Sequence, residues 1–556
     1  MGMSLADELR SVVGIEADDA PAVLEKYSRD ASLFAVRPQV VAYPKDADDI
    51  CRLVKFVAQK KKENPKLKIS ITARAAGTDM SGGPLGDSII LDTSRYLNKL
   101  LRLGEDFAEV ESGMYFRDFD KETKTIGLEL PSYTASRELC SVGGMASNDS
   151  GGEKNLKYGK TARYVEELEI VLADGQKHVL KNLEGDTLRQ KLAEQSFEGG
   201  LYRNIAKLVS SHQTVIGAHK PLVKKNSSGY ALWDIGDGAS SLNLARLVVG
   251  SQGTLGIITK IKFRLVRPKP YAAMVVMFVN RLSQLGELVP EVLQYSPDSF
   301  ESYDDHTFKI AIKFFPELAG QMKSGLFSLG FKFLPEFWML LTGGVPKLVL
   351  LAEFRADKQE EALARAQKLA ADIAGDRDHA SVHIAKSERQ ARKYWAVRRE
   401  SFNLLRRKVR GLRTAPFFDD FVVSPAVLPE FLPKLEHILA DYPELIYTVA
   451  GHVGDGNFHI IPLIDPKREN TAKIIDELSH KVYDLVLEYN GSITGEHNDG
   501  LVRTPYVEKM FGREMYALFY CVKQYFDPLQ IFNPGKKVGS TFSDTLPYLD
   551  LVIPKK

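Results

Sequence analysis

Short apolar runs alternate with an amphipathic stretch in the first hundred residues. The runs at residues 40–44, 69–73 and 88–92 have the length and apolar character of strands. Residues 1–36 are predicted to be helical and peripheral. Residues 46–57 place their apolar side chains on one helix face, namely Ile50, Leu53, Val54 and Val57. The pattern therefore predicts strands joined by helices.

The pattern changes at about residue 270. Apolar runs at residues 271–278 and 348–354 predict strands, and each precedes a predicted helix, at 281–294 and 358–374. These stretches resemble repeated strand–helix units. A differently built second part of the chain is therefore expected here.

A hairpin is predicted around two histidines. An apolar run at residues 445–450 leads to the glycine-rich turn 454–457, and Ile460 then begins a second apolar run. Such a hairpin would bring His452 and His459 near each other, and two imidazoles placed this way suit a divalent metal. The alternative is a pair of solvated histidines on a glycine-rich loop.

A second segment, residues 494–497, reads Thr-Gly-Glu-His. Glu496 can supply a hard oxygen ligand to the same metal. In an extended segment neighbouring side chains alternate, so His497 would face away from Glu496 and toward a bound substrate. This second segment favours the metal interpretation, because clustered ionisable groups are costly unless they are used.

Glycine and other small residues are concentrated in four stretches, at residues 74–83, 140–152, 225–230 and 248–259. The first follows a predicted strand and offers backbone N–H groups to a pyrophosphate, although glycine turns are common. Small residues at separated points let the backbone approach a large flat ligand closely. The arrangement is not the strand–helix fingerprint of a Rossmann fold.

Length and composition limit the class of protein. A chain of 556 residues is too long for one core, so two large domains or three lobes are expected. Lysine and arginine number 74 against 72 acidic residues, which gives no case for nucleic-acid binding. Cys51, Cys140 and Cys521 form no CxxC pair, so iron–sulfur and zinc-ribbon sites are not indicated and a cytoplasmic setting is expected. The first residues have no basic n-region and no apolar h-region, so no signal peptide is expected. No stretch reaches ~18 consecutive apolar residues, so no membrane-spanning helix is expected.

These motifs, in this order, resemble the FAD-linked oxidase family with the vanillyl-alcohol oxidase/p-cresol methylhydroxylase fold. His452, His459 and the Glu496-His497 pair resemble its metal-dependent D-2-hydroxyacid dehydrogenases, a group that includes D-lactate, glycolate and D-2-hydroxyglutarate dehydrogenases. The resemblance implies an α+β fold, in which a two-subdomain FAD-binding domain is joined to an antiparallel-sheet substrate or cap domain. The implied division is an N-terminal helical segment 1–36, a FAD-binding domain 37–268, a substrate domain 269–505 with the metal site, and a C-terminal segment 506–556 that returns to the FAD domain.

The resemblance also implies the FAD-binding residues. They are Arg74, Ala75, Ala76, Gly77, Thr78, Asp79, Met80, Ser81, Gly82, Gly83, Gly143, Gly144, Ser147, Asn148, Gly151, Gly152, Gly253, Thr254, Ile258 and Asn533. Family members that bind FAD covalently through the first loop carry histidine at the position of Thr78. The flavin is therefore expected to be non-covalent.

The implied catalytic groups lie in the second half of the chain. A metal, with Zn, Mn and Fe all left open, would be held by His452, His459 and Glu496, and His497 is the candidate base. Arg398, in a Trp-x-x-Arg motif, would bind the substrate carboxylate; the alternative for Arg398 is a surface helix charge.

Two departures from the family pattern bear on the substrate. Hydroxyglutarate-type members carry a lysine where this chain reads Phe-Phe-Asp-Asp at residues 417–420, so a second substrate carboxylate would lack its partner. Asp499 is an additional acid near His497, which leaves the electrostatics there open. The expected reaction is FAD-dependent oxidation of a small D-2-hydroxyacid, first D-lactate to pyruvate. The alternatives are glycolate or another 2-hydroxyacid, a non-catalytic flavin-binding subunit, and a flavin-free metal-dependent hydrolase, which the glycine-rich stretches oppose.

Residues 314–346 look like an insertion that is more aromatic than its flanks and carries interspersed lysines. Such a composition suits the lipid–water interface. We expect it to dock the enzyme on the cytoplasmic membrane face, where quinone or another external acceptor would reoxidise the flavin. The alternative is a buried cap helix or a dimer contact.

Overall fold

The computed structural model describes residues 3–281, 284–305, 346–375, 381–408 and 412–551. The aromatic insertion expected at 314–346 lies outside the described residues, apart from its last position. The chain divides into two compact units. The first is made of Met1–Gly152, Gly159–Pro268 and Ser492–Leu551, and the second of Glu153–Tyr158 with Lys269–Gly491.

The first unit contains a four-stranded sheet that the early apolar runs build. Its strands lie in the order Glu16–Asp18, Val40–Tyr43, Ile89–Asp92 and Ile71–Arg74, and the last three are parallel. Helix Ala47–Glu63 begins after Asp46, whose side chain accepts a hydrogen bond from the Asp49 N–H. All four predicted helix-face residues are buried in the core between this helix and the sheet. The predicted strands and helix are confirmed here.

Residues 1–36 differ from the expected peripheral helices. Short helices at Leu5–Glu8 and Pro21–Tyr27 are present, but Glu16–Asp18 between them is a strand paired with Val40–Tyr43. Leu9 and Ile15 are buried in the same core as helix Ala47–Glu63. The segment is thus part of the sheet layer, because its strand pairs with the sheet and its apolar side chains pack into the same core.

A six-stranded antiparallel sheet forms the other half of the first unit. In spatial order its strands are Leu100–Leu103, Phe107–Glu111, Ile257–Arg264, Val165–Val171, Lys177–Glu184 and Ser241–Asn243. The remaining helices of this unit, 3₁₀ and π turns included, are Leu9–Val13, Phe116–Lys124, Val142–Asn148, Thr161–Arg163, Gly185–Ala193, Phe197–Ser211, Gln213–Ala218, Leu232–Asp234, Leu244–Val248, Gly500–Arg503, Thr504–Tyr506, Val507–Phe526, Phe542–Thr545 and Leu546–Tyr548.

The second unit is built on one antiparallel sheet. Its strands, in spatial order, are Ser381–Ala385, Tyr271–Val279, Leu348–Ala356, Ser299–Asp304, Ile446–His452, Asn457–Ile464 and Arg413–Thr414, and Phe421–Val422 also pairs with Asn457–Ile464. Its helices and 3₁₀ turns are Asn155–Tyr158, Leu285–Gln294, Gln359–Gly375, Glu388–Lys408, Pro425–Val427, Leu428–Ala440, Val453–Asp455 and Thr471–Glu488. The predicted α+β class is confirmed, with its antiparallel second half.

Within the ranges that the structure describes, every helix is too short or too polar to cross a bilayer.

Candidate active site

The predicted histidine hairpin is present in the second unit. Ile446–His452 pairs antiparallel with Asn457–Ile464, and His459 lies opposite Ala450 while His452 lies opposite Asn457. The two histidines are therefore diagonal neighbours on one face, with ring centroids 5.2 Å apart and rings nearly perpendicular. A 3₁₀ turn, Val453–Asp455, closes the hairpin, and Gly456 follows with φ 67°. A Cβ on Gly456 would lie 1.8 Å from the Val423 carbonyl oxygen, so the turn requires glycine.

A buried carboxylate binds the first histidine. Glu301 lies in the neighbouring strand Ser299–Asp304, which is paired with Ile446–His452. Its Oε1 is 2.6 Å from His452 Nδ1, and only 2% of the Glu301 side chain is exposed. Glu301 belongs to none of the sequence motifs, although an acid among apolar strand residues is a usable signal.

The second histidine has its own acidic neighbours. Asp419 Oδ1 lies 3.3 Å from His459 Nδ1, and Asp420 Oδ1 lies 4.0 Å from the same atom. Both side chains are fully buried, and Asp420 also accepts a hydrogen bond from Asn457 Nδ2 at 3.0 Å. The 417–420 stretch, identified in the sequence only for its missing cation, thus supplies acids beside a histidine of the hairpin.

Arg398 lies on helix Glu388–Lys408 of the same unit. Its Nε and Nη2 atoms are each 3.3 Å from Glu301 Oε2, and its side chain is 12% exposed. The neighbouring Trp395 is buried and donates its indole N–H to Glu353 at 3.1 Å. Arg398 is therefore not a surface helix charge, which was the alternative interpretation.

Glu496 and His497 belong to the first unit, where residues 495–497 form bends rather than a strand. Glu496 Oε1 lies 3.9 Å from His497 Nε2. The expectation that the two side chains face apart was wrong, because alternation applies only to extended backbone. Glu496 Oε2 accepts a hydrogen bond at 3.0 Å from Lys225, a fully buried lysine that the sequence analysis did not single out.

Asp499 is a buried anchor of the same segment. Its carboxylate accepts hydrogen bonds from Ser228 Oγ at 2.7 Å and from the Gly229 N–H at 2.9 Å. Lys537 Nζ lies 3.0 Å from Asp499, and both side chains are completely buried. Burial lowers the pKa of Lys537, whereas the charge of Asp499 raises it. The negative charge that Asp499 adds to this segment is therefore paired with the Lys537 cation of the same unit.

The glycine-rich stretches of the first unit meet in one hydrogen-bond network. Asn148 donates to Asp79 at 2.6 Å, and Gln252 donates to Ser81 at 3.0 Å and to Asn148 at 3.2 Å. Asn533 donates to the carbonyls of Gly83 at 2.9 Å and Gln252 at 2.7 Å. A Cβ on Gly83 would lie 2.5 Å from the Gln252 amide nitrogen. Loops far apart in sequence are thus held together, as the expected cofactor cradle requires.

Other predicted FAD-binding residues have partners within the protein. Arg74 donates to the carbonyls of Tyr27 at 3.0 Å and Arg29 at 2.7 Å, so its guanidinium ties the start of the first loop to the N-terminal segment. The Gly143 N–H donates to the Ser112 carbonyl, and Thr254 Oγ1 lies 2.7 Å from the Tyr230 hydroxyl.

The loop itself fits a flavin cofactor. Residues 74–80 are half-buried, while Ser81, Gly82 and Gly83, which follow them in the chain, are buried. Small side chains and a partly accessible backbone suit the pyrophosphate and the flat ring of FAD.

Two domain families match the chain. The FAD binding domain matches residues 38–181, and the C-terminal domain of FAD linked oxidases matches residues 269–537. Together they cover both halves of the sequence in the order that the resemblance predicted.

Curated relatives are similar over almost the whole chain. D-2-hydroxyglutarate dehydrogenase of Pseudomonas putida is 27% identical over 91% of this chain and 49% of its own length. D-lactate dehydrogenase of Archaeoglobus fulgidus is 27% identical over 96% of this chain and 99% of its own length. The chain spans about half the length of the first of these relatives and nearly all of the second.

A crystal structure of p-cresol methylhydroxylase with substrate bound has the same fold. Its TM-score is 0.65 at 16% identity, with 95% of this chain and 94% of that chain covered. The two domain matches confirm the family predicted from the motifs, and this structure confirms the predicted fold. The chain belongs to the FAD-linked oxidases, with the p-cresol methylhydroxylase type of fold.

Proposed function

We propose that this protein is a FAD-dependent dehydrogenase of a small D-2-hydroxyacid, with D-lactate as the first candidate. The observation that carries the proposal is the histidine hairpin in the FAD-linked oxidase C-terminal domain. His452 and His459 share one face, and each Nδ1 lies beside a buried carboxylate. Such a histidine offers its other nitrogen, Nε2, to a metal.

In this proposal the residues have separate tasks. His452, His459 and Glu496 hold a divalent metal such as Zn, Mn or Fe, two imidazoles and a carboxylate being acceptable to all three. Arg398 binds the substrate carboxylate through its planar guanidinium. His497 takes the proton of the α-hydroxyl, since imidazole titrates near neutrality. When bound, the metal stabilises negative charge on substrate oxygen and FAD accepts the hydride.

The preference for a monocarboxylate rests on residues 417–420. D-2-hydroxyglutarate has a second carboxylate, and the Phe-Phe-Asp-Asp sequence of this stretch offers no cation to bind it. D-2-hydroxyglutarate is nevertheless the second candidate, because relatives such as the Pseudomonas putida enzyme carry that name. Glycolate remains a further alternative within the same chemistry.

The experiment is anaerobic mixing of the flavin-loaded protein with D-lactate, L-lactate, glycolate and D-2-hydroxyglutarate. Loss of flavin absorption near ~450 nm identifies the hydride donor, because the colour belongs to the oxidised cofactor. We expect D-lactate to bleach the flavin fastest. If none of the four acids bleaches it, the protein is a non-catalytic flavin-binding subunit or acts on another substrate class.

A pair of histidine variants makes this experiment specific. His459→Ala should abolish bleaching, whereas His480→Ala should leave it unchanged. His480 lies on helix Thr471–Glu488 with 48% of its side chain exposed, so it is a matched control. Equal bleaching by both variants would exclude the hairpin from the reaction.

We further propose that the aromatic segment 314–346 docks the enzyme on the cytoplasmic membrane face, where quinone or another external acceptor reoxidises the flavin. The support is its composition alone. Deleting residues 318–344 behind a short Gly/Ser linker should remove liposome binding and quinone reduction while activity toward a soluble dye remains. Unchanged liposome binding after the deletion would reject the docking proposal.

A further inference from the structure

Glu301 makes two contacts that connect two functional groups of the second unit. One oxygen, Oε1, lies 2.6 Å from His452 Nδ1, and the other, Oε2, lies 3.3 Å from Arg398 Nε and Nη2. The carboxylate thus bridges a histidine and an arginine from two different elements. Its own strand, Ser299–Asp304, is buried along its full length and lies inside the sheet.

The contact with His452 determines which ring nitrogen is available. A carboxylate beside Nδ1 accepts a hydrogen bond from the N–H at that position, so the proton stays on Nδ1 and the lone pair remains on Nε2. Asp419 stands in the same relation to Nδ1 of His459, at 3.3 Å. Both rings of the hairpin are therefore held with the same nitrogen toward a carboxylate, as in the carboxylate–histidine pairs of metal sites.

The contact with Arg398 orients the guanidinium. The Nε–H donates a hydrogen bond to Glu301 Oε2, and Nη2 on the same side of the guanidinium lies at the same distance from that oxygen, which a buried strand holds in place. A guanidinium held in this way keeps its plane and its direction, which a long flexible side chain would otherwise lose. The same carboxylate therefore sets the position of both groups.

We propose that Glu301 is a positioning residue that fixes His452 for the metal and Arg398 for the substrate carboxylate at the same time. The inference rests on the proposed function and names a residue that the sequence motifs did not include. It follows that removing the charge of Glu301 should weaken metal binding and substrate binding together, because one group supports both.

A matched control lies one residue along the same helix. Arg399 forms an ion pair with Glu153, with Nε to Oε2 at 3.0 Å, in the same unit. Glu153→Gln removes an arginine–carboxylate contact of the same kind without touching either histidine contact described above. A general loss of helix packing would affect both variants alike, whereas a positioning role would affect only Glu301→Gln.

The test compares wild type, Glu301→Gln and Glu153→Gln as flavin-loaded, metal-depleted proteins. Zn²⁺ is the metal probe, and its affinity is measured by competition with a chromophoric chelator. D-lactate is the anion probe, and the concentration that gives half-maximal flavin reduction is measured after zinc saturation. Flavin absorption and the melting temperature check that each variant is folded.

We expect Glu301→Gln to bind zinc ~10–100-fold more weakly than wild type, the range typical of outer groups around a metal. The half-saturating D-lactate concentration should rise as well, with Glu153→Gln unchanged in both measurements. Wild-type zinc affinity in Glu301→Gln overturns the inference, and so does an equal loss in Glu153→Gln. If D-lactate reduces no variant, the proposed substrate is wrong, and the zinc comparison still decides the role of Glu301.

Asp419→Asn provides a second variant that does not depend on the folding of Glu301→Gln. It should weaken zinc binding through His459 while the half-saturating D-lactate concentration stays at the wild-type value. A rise in that concentration as large as in Glu301→Gln would contradict the special position of Glu301 beside Arg398.

Discussion

Replacing Asp499 with asparagine should destabilise the first unit strongly, although the two side chains have nearly the same volume. Asp499 and Lys537 are both completely buried and lie 3.0 Å apart. Without the carboxylate, the Lys537 ammonium keeps the carbonyls of Ser227 and Gly229, each at 2.8 Å, but loses its counter-charge. Removing one partner of a buried ion pair costs about 3–5 kcal/mol. Because asparagine still offers one acceptor oxygen, we expect a value near the lower end, about 3 kcal/mol.

Urea unfolding measures this loss. The fluorescence of released FAD reports the first unit, and its transition is extrapolated linearly to water. Asp48→Asn is the control, since Asp48 pairs with Lys177 at 2.9 Å on the surface of the same unit, with side chains 63% and 43% exposed. Because solvent screens that exposed pair, its loss should leave the free energy of unfolding almost unchanged.

The double variant Asp499→Asn/Lys537→Met separates a buried charge from a general packing defect. It removes the uncompensated ammonium, so it should be more stable than Asp499→Asn alone. If the free energy of unfolding of Asp499→Asn lies within about 1 kcal/mol of the wild-type value, the reasoning is refuted. A double variant no more stable than the single variant would refute it as well.

Four further predictions follow from the structure and the proposed site. Acid or denaturant should release FAD into the supernatant, because Thr78 cannot form a histidyl link; flavin that stays with the denatured chain would contradict this. Chelation should abolish turnover and leave most flavin bound, as measured by elemental analysis and absorption, since the cofactor loops are separate in sequence from the hairpin. Arg398→Lys should mostly raise KM, by an amount equivalent to about 1.5–3 kcal/mol of binding free energy. His497→Asn should lower the rate of flavin reduction ~10²–10⁴-fold, and stopped-flow measures both effects. If His497→Asn reduces flavin at the wild-type rate, His497 is not the base. Burial lowers the pKa of His178, but hydrogen bonds to Asp174 and Glu198 outweigh this effect and raise the pKa to about 9. Protonated His178 should therefore contribute up to about 3 kcal/mol to the free energy of unfolding below pH ~6.5 and lose that contribution as the pH rises through about 9. The free energies of unfolding of His178→Gln and wild type in urea should differ at pH 6.5 and converge at pH 10.

The histidine hairpin could be predicted because its signals are local. Two apolar runs and the glycine-rich turn between them specify which residues pair, and pairing then places His452 and His459 on one face. The acids around them could not be predicted in this way. Glu301 is 151 residues from His452 along the chain, and only the order of strands in the sheet makes them neighbours.

The same limit applies to the first unit. Lys225 lies 271 residues from Glu496, and no sequence pattern connects the two. The predicted orientation of the His497 side chain was wrong for a different reason. Asn498 and Gly500, with φ of 69° and 49°, continue a bent backbone after the Glu-His pair, so the rule for strands does not apply.

The three-segment construction of the first unit has a consequence for biosynthesis. Thr72, on a strand of the four-stranded sheet, lies 3.2 Å from Asn533, which is 461 residues later in the chain. At 5–20 residues per second, a ribosome takes roughly 20–90 s to make the intervening polypeptide. During that time the strand Ile71–Arg74 lacks both Asn533 and the Phe532 bridge beside it. The cofactor cradle is therefore completed only after residue 533 has left the ribosome, so flavin loading is a late step, and the exposed sheet edge needs protection from aggregation until then.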